Sequence, residues 1–310
     1  VKDGKFKDIY DFCARVDTNK LSKRAIEALI KAGAFDEIGP SESINHCRAW
    51  LSTALDEASK LADKVFKNEE SGIEDLFGNS LVETSEEIKK HIPLEIEPLM
   101  TKERLEQEKS ILGLYLTGHP LDEYKLELEK MRVNKLADIK NNRGAIRAAG
   151  LITDIRVMKN KKGQSFAFIT LDDKYSRVEV TLWAETYAKY REYLQKDAVV
   201  LVKGEASQDR FTGRLKIIID TVQSLYEVRC ERLETLEVVI ADSETDWVDL
   251  LTNRVSDYRD GNCSIKIEYH KDNSYANLLL DDSWKIDPRD ELIDQLRGDF
   301  GPNNVNFEFR

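Results

Sequence analysis

The sequence predicts a multidomain chain: an α-helical block first, a five-stranded β-barrel in the middle and an α+β block last. Three observations carry that reading. Apolar residues recur at three- and four-residue steps through much of the first 131 residues. Between 144 and 228 they fall instead into short runs bounded by Gly, Asn and Asp turns. After 233, strand-like and helix-like runs alternate. A length of 310 residues, 41% hydrophobic and 34% charged, is enough for two or three cores with solvated helix faces.

The helical block is expected over 1–143. Phe6, Ile9, Tyr10, Cys13 and Val16 fall on one stripe. Ser22 opens a helix that reaches Ala32, and Gly33 stands where a left-handed C-terminal residue is wanted. Pro40 breaks the chain before a third helix, from about Ser43 to Phe66, with Ile44, Cys47, Trp50, Leu51, Leu55 and Ala58 inward. Residues 68–99 lose the rhythm, apart from an apolar island, Ile73-Glu-Asp-Leu-Phe77, flanked by Gly72 and Gly78. Pro93 and Pro98 precede a helix from Thr101 to Leu112, and a charged helix from about Leu121 to Met131 follows Gly118-His-Pro120.

Over 144–228, Ile146 to Val157 reads as a long strand, with Gly150 offering a bend or bulge. A turn at Lys159–Gly163 leads to a strand from Ser165 to Leu171. A second turn, Asp172–Ser176, leads to another strand from Arg177 to Trp183. A short helix, Ala184–Leu194, precedes strands Ala198–Ala206 and Leu215–Val222. Three strands, a helix, then two strands, with the first one kinked, is the order of the OB-fold. Over 233–310 the order is βαββαβ: strand Leu236–Ile240, helix Trp247–Tyr258, hairpin Ile265–His270 and Ala276–Leu280, helix Pro288–Leu296, strand Val305–Phe309. That order predicts a two-layer α+β sandwich.

Charge is unevenly spread. The whole chain has 47 Lys+Arg against 58 Asp+Glu, a net of −11. Residues 144–228 hold 14 basic and 11 acidic residues, or +3, whereas 229–310 hold 10 and 19, or −9. Phosphate is tolerated by the middle and repelled by the end, so nucleic acid belongs on the barrel and the acidic end belongs to protein. Cys13, Cys47, Cys230 and Cys263 are too far apart for a disulfide framework or a zinc knuckle, and the four histidines are equally scattered. No metal or cofactor is expected, and reduced thiols suit the cytoplasm. No apolar run approaches the ~18 residues of a membrane span. The chain opens at Val1 without an initiator Met or leader, which reads as a piece of something longer.

No catalytic constellation is visible. Asp172-Asp173 and Asp281-Asp282 both follow strands, where turns place Asp, and no strand carries the alternating carboxylates of a two-metal site. There is no phosphate-cradling Gly-rich loop and no Gly-x-Ser-x-Gly. The piece reads as a binding module, not an enzyme by itself.

OB barrels grip single strands with a positive groove and aromatic platforms. Lys159, Lys161 and Lys162 fall in the loop after the first strand, and Arg210, Phe211 and Arg214 between the last two. Those loops frame the usual binding face. Phe166 and Phe168 share one face of the second strand, and parity leaves open whether that face is core or exterior. The island Ile73, Glu74, Asp75, Leu76 and Phe77 either folds back on its own domain or docks a partner, because a Leu-Phe pair is costly to leave in water. Gly33 and Ala34 offer the turn of a helix-hairpin-helix whose N–H groups accept a duplex phosphate. With one glycine where that motif has two, an ordinary helical turn competes.

Three strings, taken in order, resemble the C-terminal part of the bacterial replicative DNA polymerase III alpha subunit. They are Arg24-Ala-Ile-Glu-Ala-Leu-Ile-Lys-Ala-Gly-Ala-Phe-Asp36, Glu108-Lys-Ser-Ile-Leu-Gly-Leu-Tyr-Leu-Thr-Gly-His-Pro-Leu121 and Phe168-Ile-Thr-Leu-Asp-Asp173. The resemblance extends over essentially the whole chain and is weakest after about 235. It implies that 1–143 is similar to the end of the fingers and the clamp-binding domain, with helix-hairpin-helix elements near duplex DNA. The stretch 71–79 then stands where the family keeps its internal peptide for the beta sliding clamp. Leu76 and Phe77 match that peptide's hydrophobic plug, and Ile73 stands where the family has Gln. The resemblance further implies an OB domain that binds single-stranded template, an acidic end that contacts the tau subunit of the clamp loader, and a catalytic palm upstream of Val1. Two rival readings are an RNA-binding OB module of an aminoacyl-tRNA synthetase, which predicts adenylate-forming motifs after the barrel, and an adaptor whose barrel binds no nucleic acid.

Overall fold

The computed structural model describes residues 4–16, 21–70, 96–139, 144–208, 215–241, 246–271 and 274–310. The chain divides into two compact units, Val1–His119 and Pro120–Arg310.

The first unit is built from α1 (Ile9–Arg15), α2 (Lys23–Lys31), α3 (Ile44–Glu70) and α4 (Thr101–Leu112). Both early helices are capped by side chains: the Asp8 carboxylate accepts the Asp11 N–H, and the Ser22 hydroxyl accepts the Ala25 N–H. The stripe read from the sequence is the core. Ile9, Tyr10 and Cys13 of α1 meet Ile26 and Ile30 of α2 and Trp50, Leu51 and Leu55 of α3. Among the described residues two charged side chains, Arg48 and Glu108, are fully buried in this unit. Arg48, fully buried, holds Asp36 through Nε at 2.9 Å and Nη2 at 2.7 Å, and Glu108 through Nη1 at 2.8 Å. Glu108 in turn accepts the N–H groups of Leu116 and Thr117 at 2.7 and 3.0 Å and the Thr117 hydroxyl at 2.7 Å. This network ties the end of α2, α3, α4 and the segment after α4 into one body. It gives a physical reason for the string that begins at Glu108.

The second unit opens on a 3-10 turn, Pro120–Tyr124, followed by α5 (Lys125–Lys130) and α6 (Leu136–Ile139). The single helix expected over Leu121–Met131 is therefore split. Then come β1 (Gly144–Lys159), β2 (Ser165–Asp172), β3 (Arg177–Leu182), α7 (Ala184–Tyr190), β4 (Val199–Gln208) and β5 (Leu215–Ser224). The strands close in the order β1-β2-β3-β5-β4, with β3 and β5 parallel, which is the OB barrel that the strand order predicts. The bulge in β1 is not at Gly150. It falls between Ile152 and Asp154, where β1 leaves β4 (last pair Leu151 and Val199) and goes on with β2 alone. Gly150 serves close packing instead, since a Cβ there would stand 2.9 Å from that of Leu171.

A helix not expected from the sequence, α8 (Leu225–Arg232), starts from a capping box formed by Ser224 and Glu227. It leads into β6 (Leu233–Ala241), α9 (Trp247–Ser256), β7 (Arg259–Lys271), β8 (Ser274–Leu279), α10 (Asp290–Phe300) and β9 (Val305–Phe309). The sheet order is β8-β7-β6-β9, with β6 and β7 parallel across α9. Leu251 and Val255 of α9 and Leu292, Ile293 and Leu296 of α10 pack in one core with Leu236, Val238 and Ile265, giving the expected α+β domain. Met131, Leu201, Leu225 and Val228 form the seam between barrel and sheet. At its side the buried Arg229 grips Glu127 at 2.6 and 3.1 Å and Asp290 at 2.5 Å. Among the described residues no helix is long and apolar enough to cross a membrane.

Candidate nucleic-acid interface

The register of β2 decides which face is which. Ala167, Ile169 and Leu171 are buried in the barrel, so Phe166 and Phe168 point outward and are half-buried. Their cross-strand neighbours share that face: Met158 opposite Phe166, and Arg156 and Thr181 on either side of Phe168. Trp183, the residue after β3, continues the same side. Its ring lies 5.5 Å from that of Phe166, which is in turn 5.5 Å from Phe168 in an edge-on contact. The three rings form a row on the outside of the barrel, and Trp183 is 42% exposed.

Cations border the row. Lys216 Nζ sits 5.2 Å over the Trp183 ring, and the Arg156 guanidinium 5.7 Å over Phe168. Arg156 also pairs with Glu179, and lies 3.9 Å from Asp154, so its charge is partly spent inside the protein. Lys159 ends β1, and Lys161 and Lys162 follow in the hairpin turn; all three are exposed. The turn is fixed by Asn160, whose Oδ1 accepts the N–H groups of Lys162 and Gln164 at 2.9 and 3.0 Å. Gly163 supplies the left-handed residue, with φ of 78°.

Other candidates are placed differently. Arg210, Phe211 and Arg214, like Ile73, Glu74, Asp75, Leu76 and Phe77, lie outside the described residues. Gly33 and Ala34 lie in the turn that follows α2. They close the C-terminal end of α2: the Gly33 N–H donates to Ile30 O and the Ala34 N–H to Leu29 O, both at 2.9 Å. That is also the negative end of the helix dipole. The glycine is needed there for another reason. Its φ is 83°, and a Cβ would come within 2.4 Å of Arg48 Nη2.

Sequence reasoning missed Trp183, Lys216, Arg156 and Met158. The signal was available for Trp183 and Arg156: once Phe166 and Phe168 are outward, period-two alternation carries the same face into both flanking strands. Among the described residues no three His, Cys, Asp or Glu side chains gather to hold a metal. Outward rings of this kind can stack bases, at roughly 1–3 kcal/mol each.

Fold and site thus define a chain in which an OB-fold of the nucleic-acid-binding type lies between a helical block and an α+β domain. Family models agree: a helix-hairpin-helix motif matches residues 1–44, an OB-fold nucleic acid binding domain 146–235, and the C-terminal domain of DNA polymerase III subunit alpha 250–301. DNA polymerase III subunit alpha of Pseudomonas aeruginosa is 38% identical over 321 residues, covering 99% of this chain and 27% of that protein. Its counterpart in Escherichia coli K12 is 35% identical over 316 residues, covering 99% and 26%. Among solved structures, the mitochondrial single-stranded DNA binding protein Rim1 of S. cerevisiae aligns with 27% of this chain and 97% of its own, at 17% identity and a TM-score of 0.24. The chain spans about a quarter of the length of the curated relatives it matches. It corresponds to the C-terminal region of the DNA polymerase III alpha family, with that family's helix-hairpin-helix, OB-fold and C-terminal domain.

Proposed function

We propose that this segment keeps a replicative polymerase at its primer end by holding three things at once. Single-stranded template lies across Phe166, Phe168 and Trp183 on the barrel. The sliding clamp takes Leu76 and Phe77 into an apolar pocket. The acidic C-terminal domain meets the tau subunit of the clamp loader. Each contact is weak by itself, and joining them in one chain turns later binding events into intramolecular ones at high effective concentration.

The observation that carries the template role is the outward row of three aromatic rings beside Lys216. Stacking on such a row is tolerant of sequence, because every base has a π-face, as a template grip requires. Fluorescence anisotropy with labelled oligo-dT tests it, with quenching of Trp183 as an independent readout. An absence of binding at low salt would leave the adaptor reading in its place. The clamp role is tested by surface plasmon resonance on immobilised clamp. Leu76→Ala with Phe77→Ala should abolish binding while the far-UV spectrum stays unchanged, and undiminished affinity would remove the role.

A further inference from the structure

The C-terminal sheet ends on two unlike edges. β9 is covered, with α5 packed against it and Phe309 joining the seam beside Met131 and Val228. Among the described residues β8 is bonded to β7 alone, and all six of its residues are exposed. Its outward hydrogen-bonding positions follow from the register. The Leu280 N–H donates to Ile265 O at 3.0 Å. Antiparallel pairs alternate between bonded and non-bonded positions, so Leu278 and Ala276, opposite Ile267 and Tyr269, also turn their main-chain groups toward β7. The N–H and C=O groups of Tyr275, Asn277 and Leu279 then face away from the sheet, at the two-residue spacing an added strand would need.

Exposed edges are ordinarily guarded by Lys, Pro, a bulge or a covering element. β8 has none of these. Its sequence, Ser-Tyr-Ala-Asn-Leu-Leu, is uncharged, its pairing with β7 runs without a register shift, and no described element covers it. Tyr275 and Leu279 are each 69% exposed on one face, and Leu278 is 47% exposed on the other, beyond the helical layer. An edge this open and this apolar is a place for another strand. Charge selects which one. Residues 229–310 hold 10 Lys+Arg and 19 Asp+Glu, so a second copy would bring like charge against like, whereas a basic segment is drawn in.

We propose that β8 seats an extended, positively charged segment of a partner protein, which joins the sheet as a fifth strand beside Tyr275, Asn277 and Leu279. The inference rests on the reading that this domain meets a partner protein, and it names the surface and the mode of contact.

Isothermal titration of the full chain with the tau subunit tests it. Asn277→Pro removes one outward N–H and leaves the bonds to β7 in place, while Leu279→Lys puts positive charge on the edge without touching the backbone. Each should weaken binding by roughly tenfold or more, with Asn277→Thr, which keeps the N–H, binding like the wild type. The lysine variant stands on its own should the proline variant fold poorly. Wild-type affinity in Leu279→Lys and in a folded Asn277→Pro overturns strand addition and leaves the partner reading intact. No binding by the unaltered chain overturns both. Self-association of the chain by sedimentation, lost in Leu279→Lys, overturns the choice of a basic partner over a second copy.

Discussion

Glu108 shows how much one carboxylate can organise. Burial by itself would raise its pKa; the Thr117 hydroxyl, the N–H groups of Thr117 and Leu116 and the Arg48 guanidinium together hold it below the ordinary carboxylate value. A folded-state value below the unfolded one means stability that is present above the unfolded range, near 4.3, and is lost as pH falls through the folded value. Glu108→Ala leaves Arg48 with Asp36 as its one carboxylate partner and orphans two N–H groups, and breaking a buried pair in this way costs about 3–5 kcal/mol. Urea denaturation at neutral pH should show that loss. On acidification the gap between wild type and variant should narrow, because the wild type is losing the same contribution. A neighbouring residue tests the same network sterically. Gly33→Ala combines a left-handed backbone, a cost of about 1–2 kcal/mol for a residue with Cβ, with a clash against Arg48 Nη2. It should lower the urea midpoint at constant m-value.

Among the elements, those whose two faces differ chemically were legible in the sequence. The stripe Ile9, Tyr10, Cys13 fixes the inward side of α1, and the order of strands and helix between 146 and 222 fixes the barrel. β2 was not legible in the same way. Ala167, Ile169 and Leu171 on one face and Phe166 and Phe168 on the other are all apolar, so alternation has no contrast to report, and only closure of the barrel assigns the faces. The bulge in β1 depends on where that strand changes partner, which is a property of β2 and β4 and not of Gly150. The helix α8 was not expected, although Ser224 and Glu227 stand at the capping-box spacing that starts it. The β2–β3 face, once assigned, carries a prediction of its own. Trp183→Ala removes the most exposed ring of the row and should weaken oligo-dT binding roughly 5- to 100-fold, one stack's worth. Phe166→Ala should act in the same direction, and the two effects should not add, since the rings touch. Anisotropy titrations of the single and double variants measure this directly.

Over the whole molecule, charge is segregated, with net +3 across 144–228 and net −9 across 229–310. By charge alone, a single strand is drawn to 144–228 rather than to 229–310. Stacking and phosphate contact should therefore separate under salt. Each phosphate neutralised by a lysine adds about 0.7 to the slope of log affinity against log salt for a single strand, whereas a stacked ring adds nothing. Reversing Lys159, Lys161 and Lys162 to Glu should flatten the slope by about 2 if each meets a phosphate. Trp183→Ala should lower affinity at every salt concentration and leave the slope as it was. The hairpin holding those lysines is fixed by Asn160 and Gly163, neither of which is altered, so a change in slope reports charge and not a lost turn. If the triple variant keeps the wild-type slope, those lysines serve solubility, and the phosphates must run along Lys216 on the far side of the aromatic row.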